Sequence, residues 1–226
     1  LVSDDPAKGL GQAAVNDLLF PQLMALLSRP TRSVDLVSAY FIPGQHFLQV
    51  LEGLAGSGLR VRILTNSLAA TDVVIVHSAY VKYRPALLRA GVELYELKPE
   101  HVSEDERETR GIAGSSRASL HSKTLAVDGE RIFIGSYNFD PRSLLLNTEM
   151  GLLIDSPRMA GALGNAFSDR FPLLSYVPKL TGEGGVMWQE PTGNGTQIQH
   201  DSEHGTNVMS RLVVKLLDAR PIDWLV

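Results

Sequence analysis

The sequence contains no cysteine, which excludes disulfide bonds, thiolate nucleophiles and metal sites built on sulfur ligands. It has no apolar run approaching the roughly 20 residues that a membrane-spanning helix needs. It also shows no basic N-terminal region followed by an apolar stretch, which is the pattern of a signal peptide. The chain also has no excess of positive charge. Its 21 Lys and Arg residues are outnumbered by 25 Asp and Glu residues, which gives a formal charge of −4. This balance argues against a nucleic-acid binder that relies on bulk charge, and we expect no nucleic-acid partner.

The 226 residues are 44% hydrophobic and 20% charged, the composition of an ordinary globular protein with enough chain for a sizeable core. The chain starts at Leu1 rather than Met, inside a polar Ser-Asp-Asp-Pro stretch that Gly9 and Gly11 follow closely. Such a stretch is typical of an interdomain linker and suggests that the chain is part of a longer protein. We therefore expect a linker-like start over residues 1–16 and a single domain over residues 17–226.

The first part of the chain alternates between helical and strand periods of apolar residues. The spacing predicts three helices, Asp17–Ser28, Gln45–Ala55 and Asp72–Ala90, and three strands, Ser33–Tyr40, Leu59–Thr65 and Val92–Leu97. Such alternation favours strands that run mostly parallel, with helices packed against them. The predicted fold class is therefore α/β, with a mixed, largely parallel sheet flanked by helices on both faces.

In the second part of the chain, the sequence predicts an acidic segment, then a hairpin, and finally an irregular tail. The acidic segment, Lys98–Arg117, is predicted to be a surface loop. The hairpin strands are Leu120–Val127 and Arg131–Ser136, because Asp128-Gly129 is a strong turn signal. A strand over Thr148–Asp155 and a helix over Pro157–Phe171 follow. From about residue 172 the chain has no clear period, so we expect an irregular extension that closes with a helix over Asn207–Ala219.

Four polar residues near the predicted hairpin are candidates for a catalytic site. His121 and Lys123 are two residues apart in one strand, so both side chains leave the same face, and Ser136 and Asn138 end the adjoining strand. The hairpin therefore brings an imidazole, an ammonium, a hydroxyl and an amide together. This set suits a tetrahedral anion whose charge rises in the transition state. One His without a supporting ligand cluster makes a poor metal site, so no metal and no cofactor are expected.

Written as a pattern, the segment is H-x-K-x4-D-x6-G-S-x-N, and it resembles the signature of the phospholipase D superfamily. The resemblance implies a covalent phosphohistidine intermediate formed by one His, while a second His from another motif copy protonates the leaving alcohol. It makes His121 a catalytic His, Lys123 and Asn138 phosphate clamps, and Ser136 a nearby hydroxyl donor. Because this chain holds one copy of the motif, its site requires an N-terminal half with the second copy, or a second copy of the chain.

Two carboxylates are also part of the resemblance to the phospholipase D superfamily. Asp128 occupies the motif's acidic position, and its place in the turn favours a scaffolding role over chemistry. Glu149 follows the motif, where the family often places an acid that holds a catalytic His by its ring N–H. The alternative for Glu149 is a solvated carboxylate at the end of a strand.

Nearly the whole chain is similar to the C-terminal half of bacterial cardiolipin synthases of the phospholipase D type. The matching segments are Ser38–Gly44, Val76–Leu88, Gly91–Glu96 and Asn147–Asp155. This resemblance implies transfer of a phosphatidyl group between phospholipids, peripheral contact with a bacterial membrane, and a membrane-associated location, with the inner membrane expected. The alternatives are a phosphodiesterase or nuclease of the same superfamily that acts as a homodimer, and a non-catalytic lipid-binding domain.

Two further groups are candidates for substrate binding. Tyr40 and Phe41 follow a strand end, where ligand sites of α/β proteins lie, although plain packing explains them equally well. His77, Tyr80 and Arg84 lie at helical spacing, so one helix face could present them to an anionic head group. The alternative is an ordinary polar helix face. The histidines elsewhere, such as His200 and His204, are expected at the surface.

Overall fold

A computed structural model describes residues 1–27, 29–99 and 120–206, together with residues 211, 212 and 214. Most of the predicted acidic loop and most of the predicted closing helix lie outside these residues. Within them, no helix is both long enough and apolar enough to cross a membrane.

Ten strands of the described chain form one sheet in the order β1-β7-β6-β5-β2-β3-β4-β8-β9-β10. Their bounds are β1 Val2–Ser3, β2 Ser33–Ser38, β3 Arg60–Asn66, β4 Glu93–Leu97, β5 Lys123–Val127, β6 Arg131–Gly135, β7 Met150–Asp155, β8 Ser175–Leu180, β9 Val186–Pro191 and β10 Gln197–His200. Strands β2, β3 and β4 are parallel, and the other neighbours are antiparallel. The α/β class with a mixed sheet is confirmed, and its parallel part is the central three strands.

Helices follow the strands at the positions where apolar residues recur with helical period. The α-helices of the described residues are α1 Leu19–Leu27, α2 Gly44–Gly56, α3 Val74–Val81, α4 Arg84–Arg89, α5 Pro141–Leu145, α6 Pro157–Asp169 and α7 Phe171–Leu174. The single predicted helix over residues 72–90 is wrong, because α3 ends at Val81 and α4 begins at Arg84. Pro85 lies in the first turn of α4, where its missing N–H breaks no intrahelical hydrogen bond.

Strand alternation gives the sheet a separate core on each face. Val34 and Leu36 of β2 join the larger core that α2 and α4 cover, whereas Val37 points to the smaller core on the other face. Helix α6 covers that second face and contributes Phe167. Arg62 of β3 stabilises this packing, since its guanidinium lies 5.0 Å from the centre of the Phe167 ring. The helices therefore lie on both faces, as the sequence predicts.

Two segments, one expected to be irregular and one expected to be linker-like, contribute strands to the sheet. The chain after residue 172 forms β8, β9 and β10, an antiparallel meander whose short strands, broken by Gly and Pro, give no long apolar period. Residues 1–16, expected to be linker-like, pack on the domain through β1, which pairs with β7. The buried Asp4 carboxylate accepts hydrogen bonds from the Leu19 backbone N–H at 2.8 Å and from Lys8 Nζ at 2.7 Å.

Candidate functional site

Four strand ends meet at one edge of the sheet and bring the motif residues together. Strands β2 and β6 end at this edge, and β5 and β7 begin there, because β5 and β7 run in the opposite direction. Ser38 pairs with Lys123, and Gly135 pairs with Gly151. The hairpin therefore places the segment that starts at His121 beside the segment from Ser136 to Asn138, as the turn signal predicts.

The segment before β5 is hydrogen-bonded to the end of β3, which lies two strands away in the sheet. Asn66, the last residue of β3, donates to the Leu120 carbonyl at 3.2 Å and accepts from the Leu120 N–H at 2.9 Å. His121 follows directly and is exposed, while the Lys123 ammonium donates to the His121 carbonyl at 2.8 Å. Asn66 therefore fixes the backbone from which the His121 side chain projects, and it is a positioning residue that no motif pattern indicated.

The buried Lys123 ammonium faces carboxylates on several sides. Burial lowers the pKa of Lys123, and the negative charges of Glu149, Asp140 and Asp72 oppose that shift. Lys123 begins β5, the strand that pairs with β6, which ends next to the motif hydroxyl and amide. A positive charge held in a partly buried site is suited to binding phosphate oxygens.

Glu149 is the centre of a hydrogen-bond network beside the motif. Its carboxylate accepts from the Ser136 hydroxyl, from Ser143 Oγ at 3.0 Å and from Asn147 Nδ2 at 3.2 Å. Its backbone N–H donates to Asp4 Oδ2 at 2.9 Å. Since Glu149 is 6% exposed, it is not a solvated strand-end carboxylate. The structure brings it to the Ser136 hydroxyl, and its expected hydrogen bond to a catalytic His stays a prediction.

Asn138 opens into a polar cavity of about 390 Å³. The cavity is lined by Tyr40, Val73, Ile75, Val76, Asn138, Asp140, Arg142 and Asn147. The Tyr40 N–H donates to Asn138 Oδ1 at 3.3 Å, which leaves the NH₂ group as the part of the side chain that can donate to a ligand. Arg142 adds a guanidinium to the same lining. The cavity can therefore hold an anionic group between an amide and a cation.

Acidic and phenolic groups complete the cavity wall. The Tyr40 hydroxyl lies 3.0 Å from both oxygens of Asp72, and burial together with this hydrogen bond raises the pKa of Tyr40 to about 12. Burial also raises the pKa of Asp140, although hydrogen bonds from Ser143 oppose the shift. Asp140 begins α5, where its side chain accepts from the Ser143 N–H at 2.7 Å. The Asp-Pro pair at residues 140–141 is a helix-start signal that could have identified this position.

Asp128 lies at the opposite end of β5 from Lys123. Five residues along a strand span about 16 Å, so the carboxylate is remote from the motif histidine. It accepts backbone N–H hydrogen bonds of 2.7–3.0 Å from Thr31, Arg32 and Ser33. Partial burial by itself would raise the Asp128 pKa, but these hydrogen bonds lower it overall. Asp128 therefore has the position of a scaffolding residue rather than a catalytic one, and it holds the hairpin turn against the start of β2.

Four of the five expected substrate-binding residues lie inside the protein. Phe41 is 1% exposed and packs against Tyr80 with ring centroids 5.9 Å apart, so of the pair that follows β2 only Tyr40 reaches the cavity. His77, Tyr80 and Arg84 are each at most 3% exposed. The expectation that one helix face presents them to a head group is wrong, because they belong to two helices and point into the core.

These three residues form a buried polar network with two glutamates. The Arg84 guanidinium lies 2.8 Å from Glu96 Oε1 and 2.7 Å from Glu203 Oε1. His77 Nε2 lies 2.9 Å from Glu203 Oε1, and the Tyr80 hydroxyl donates to Glu96 at 3.0 Å. The charge of Arg84 is thus balanced internally. The partner Glu203 is 119 residues away in the chain, so no local pattern could have revealed it.

A family model described as cardiolipin synthase, PLD-like domain matches residues 23–171. Among curated proteins, the chain is 41% identical over 225 residues to cardiolipin synthase C of Escherichia coli, and the match covers 100% of this chain and 47% of that protein. It is 33% identical over 147 residues to a cardiolipin synthase of Geobacillus thermodenitrificans, covering 65% of this chain and 25% of the relative. The chain therefore spans about half the length of the first relative and about a quarter of the second.

Solved structures share the fold at low sequence identity. A phosphatidylserine synthase from Haemophilus influenzae superposes with a TM-score of 0.58 at 14% identity, covering 94% of this chain and 45% of that one. Nuc from Salmonella typhimurium, a phospholipase D family member, gives a TM-score of 0.55 at 16% identity, covering 74% of this chain and 94% of that one. At such identities the likeness establishes the fold alone.

Proposed function

We propose that this chain, which belongs to the cardiolipin synthase family of phospholipase D-like domains, is the C-terminal half of an enzyme that transfers a phosphatidyl group between phospholipids. The proposal rests on one observation. The H-x-K and G-S-x-N segments lie next to each other at one edge of the sheet. The names of the relatives support the reaction, and their greater length supports the status of a half.

In the proposed reaction a nucleophilic His from the partner half attacks phosphorus, and the bond to the leaving alcohol breaks as a P–N bond forms. His121 donates its proton to the departing alkoxide. His121, now neutral, then takes the proton of the acceptor hydroxyl as that oxygen attacks phosphorus and the P–N bond breaks. Lys123 and the Asn138 amide bind the non-bridging oxygens, while Ser136 donates its one hydroxyl proton to Glu149 and so holds that carboxylate beside them.

A lipid substrate is supported by a second, apolar cavity next to the polar one. This cavity of about 80 Å³ shares Asp140 with the polar cavity. Its apolar lining includes Phe20, Ile42, Phe47, Tyr137, Phe139 and Leu144. Polar substrate atoms beside Asn138 and Arg142 and apolar substrate atoms in the neighbouring cavity would match an amphipathic molecule.

The partner half is expected to cover an exposed apolar patch beside the site. We define this patch as Ile134, Leu145, Leu146, Met150 and Leu152, whose exposures range from 39% to 64%. Ile134 and Leu152 are directly paired across β6 and β7 and so lie on one face of the sheet. Exposed apolar side chains grouped near a site in this way are typical of protein interfaces. Packing a second motif-bearing half here would bring its His to the edge that carries His121.

The first experiment measures transfer with labelled phosphatidylglycerol and thin-layer separation of products, alongside light scattering. The chain alone is expected to be an inactive monomer, and activity should appear when a half with the second motif is added. Labelled single-stranded DNA serves as the competing substrate. A strictly monomeric chain that turns over phospholipid would refute the two-motif argument, and cleavage of DNA without lipid transfer would favour the nuclease alternative.

The second experiment separates the general acid from the nucleophile in the assembled enzyme. His121→Ala should lower turnover roughly 100-fold or more, but a donor with an activated phenol as leaving group should rescue the first step, seen as a burst of released phenolate, because phenolate needs no proton, while the second step still lacks its base. Lys123→Met should impair both donors, and the exposed Lys179→Met is its matched control. Wild-type activity in folded His121→Ala, or no rescue by the activated donor, contradicts the assignment of the acid. Since every step uses side chains of the two halves, transfer should persist in a chelator.

A further inference from the structure

We propose that Glu190, His200 and His204 form a binding site for a divalent transition-metal ion, with Zn²⁺ the best fit. One ligand atom of each residue lies within 4.8 Å of the other two. Glu190 belongs to β9 and His200 to β10, and His204 follows in the next turn. Strands β2, β3, β4 and β8 separate this cluster from β5, so it is distinct from the candidate active site.

The two imidazoles lie side by side next to the Glu190 carboxylate. His200 Nε2 lies 2.9 Å from Glu190 Oε2, and the rings of His200 and His204 stack with centroids 3.9 Å apart. Both rings contact the face or edge of Tyr176, at centroid distances of 6.1 and 5.7 Å. Because Tyr176 is buried, at 6% exposure, its ring is held in place and restricts the positions of both histidine rings. The rings were expected to be separate surface histidines, and the β9–β10 pairing brings them together with the carboxylate.

The donor set matches zinc better than magnesium or calcium. Imidazole nitrogen suits Zn²⁺ and related ions, whereas Mg²⁺ and Ca²⁺ prefer sites made of oxygen alone. Tetrahedral bonds of about 2.0–2.1 Å place ligand atoms about 3.3 Å apart. The present separations, from 2.9 Å up to 4.8 Å, bracket that value. Rotation of the exposed His204 side chain would bring the three ligand atoms to the separations that one ion requires. A water molecule would then be the fourth ligand.

The turn that carries His204 is anchored in the core. Its neighbour Glu203 has an 11% exposed side chain, and its carboxylate lies 2.7 Å from Arg84 Nη2 and 2.9 Å from His77 Nε2. Thr206 Oγ1 also donates to the Glu203 carbonyl at 2.6 Å. Little conformational freedom remains to be lost when the turn binds an ion, which favours affinity.

The positive charge of Lys98 would repel a metal ion bound at this site. Its ammonium lies 3.0 Å from Glu190 Oε1, while Oε2 faces His200. A metal ion at Oε2 would therefore bind in the presence of a nearby positive charge, so removal of that charge should tighten binding. Once bound, the ion would link β9, β10 and the following turn, which gives it a structural effect independent of the proposed transfer reaction.

The test measures Zn²⁺ binding to the purified chain by calorimetry and by metal content after dialysis. One equivalent is expected, with a rise in the thermal unfolding midpoint when zinc is added. His200→Ala and His204→Ala should each weaken binding at least 10-fold, and Lys98→Gln should strengthen it. The matched control is His46→Ala, which removes an exposed histidine from α2 and should leave the dissociation constant unchanged.

Two results would overturn this site. The first is the absence of saturable zinc binding by the wild-type chain. The second is equal affinity in the wild type and in His204→Ala, or an equal loss in His46→Ala, since either would place any bound zinc elsewhere. His204 is exposed, so its replacement is not expected to prevent folding. The zinc measurements need no lipid transfer activity, and their outcome is therefore separable from that of the proposed function.

Discussion

Replacement of the buried Glu203 carboxylate should reveal a large, pH-dependent contribution to stability. This carboxylate lies 2.7 Å from Arg84 Nη2 and 2.9 Å from His77 Nε2. Glu203→Gln keeps the shape of the side chain but removes its charge. It leaves the Arg84 guanidinium buried with Glu96 as its remaining carboxylate. Loss of one partner from a buried ion pair is costly because an uncompensated charge stays behind.

The pKa of Glu203 gives the expected magnitude. Burial by itself would raise this pKa, but the charges and hydrogen bonds of His77 and Arg84 lower it from an ordinary value of 4.5 to about 2. At 1.36 kcal/mol for each pH unit, ionisation of Glu203 contributes roughly 3 kcal/mol to the free energy of unfolding at pH 7. Because the folded pKa is the lower one, this contribution is full above the unfolded pKa and is lost as the pH falls toward 2. Less than half of it should remain at about pH 3.

The assay is urea unfolding of the wild type and Glu203→Gln at several pH values between 7 and 3. The difference between the two should be roughly 3 kcal/mol at pH 7 and should shrink below about pH 5. Glu183→Gln is the matched control, because Glu183 is exposed in the segment between β8 and β9, and its effect should stay within about 0.5 kcal/mol. A Glu203→Gln variant as stable as this control, or a difference that is constant over the whole pH range, would refute the reasoning.

Three further predictions concern the hairpin and the site. Asp128→Ala should lower the free energy of unfolding by roughly 2 kcal/mol in urea, since three backbone N–H groups lose their acceptor, while turnover per folded molecule of the assembled enzyme is retained. Gly151→Ala should cost roughly 1–3 kcal/mol in the same assay, because the new Cβ would overlap the Phe133 ring, and Phe133→Leu in the same chain should recover part of that loss. Asn66→Ala should lower kcat more than it changes KM in the transfer assay, because Asn66 holds the backbone before His121 without lining the substrate cavity; an effect on KM alone would contradict this role.

The sequence alone determined the parts of the site that depend on local backbone geometry. The Asp-Gly turn and the two-residue strand period are local properties, so they placed the segments of His121 and Lys123 beside those of Ser136 and Asn138. The alternation of helical and strand periods likewise gave the α/β class. The fixed spacing of the motif indicated the family from the sequence alone.

Tertiary structure decided which polar residues face a cavity and which are paired inside the protein. His77 and Arg84 have the spacing of an exposed helix face, but Glu203, more than 100 residues later, neutralises them in the core. Asp128 belongs to the motif, yet strand length places it at the far end of β5. His200 meets Glu190 only because β9 and β10 pair. Such contacts depend on which strands are neighbours in the sheet, a long-range property that local periodicity does not encode.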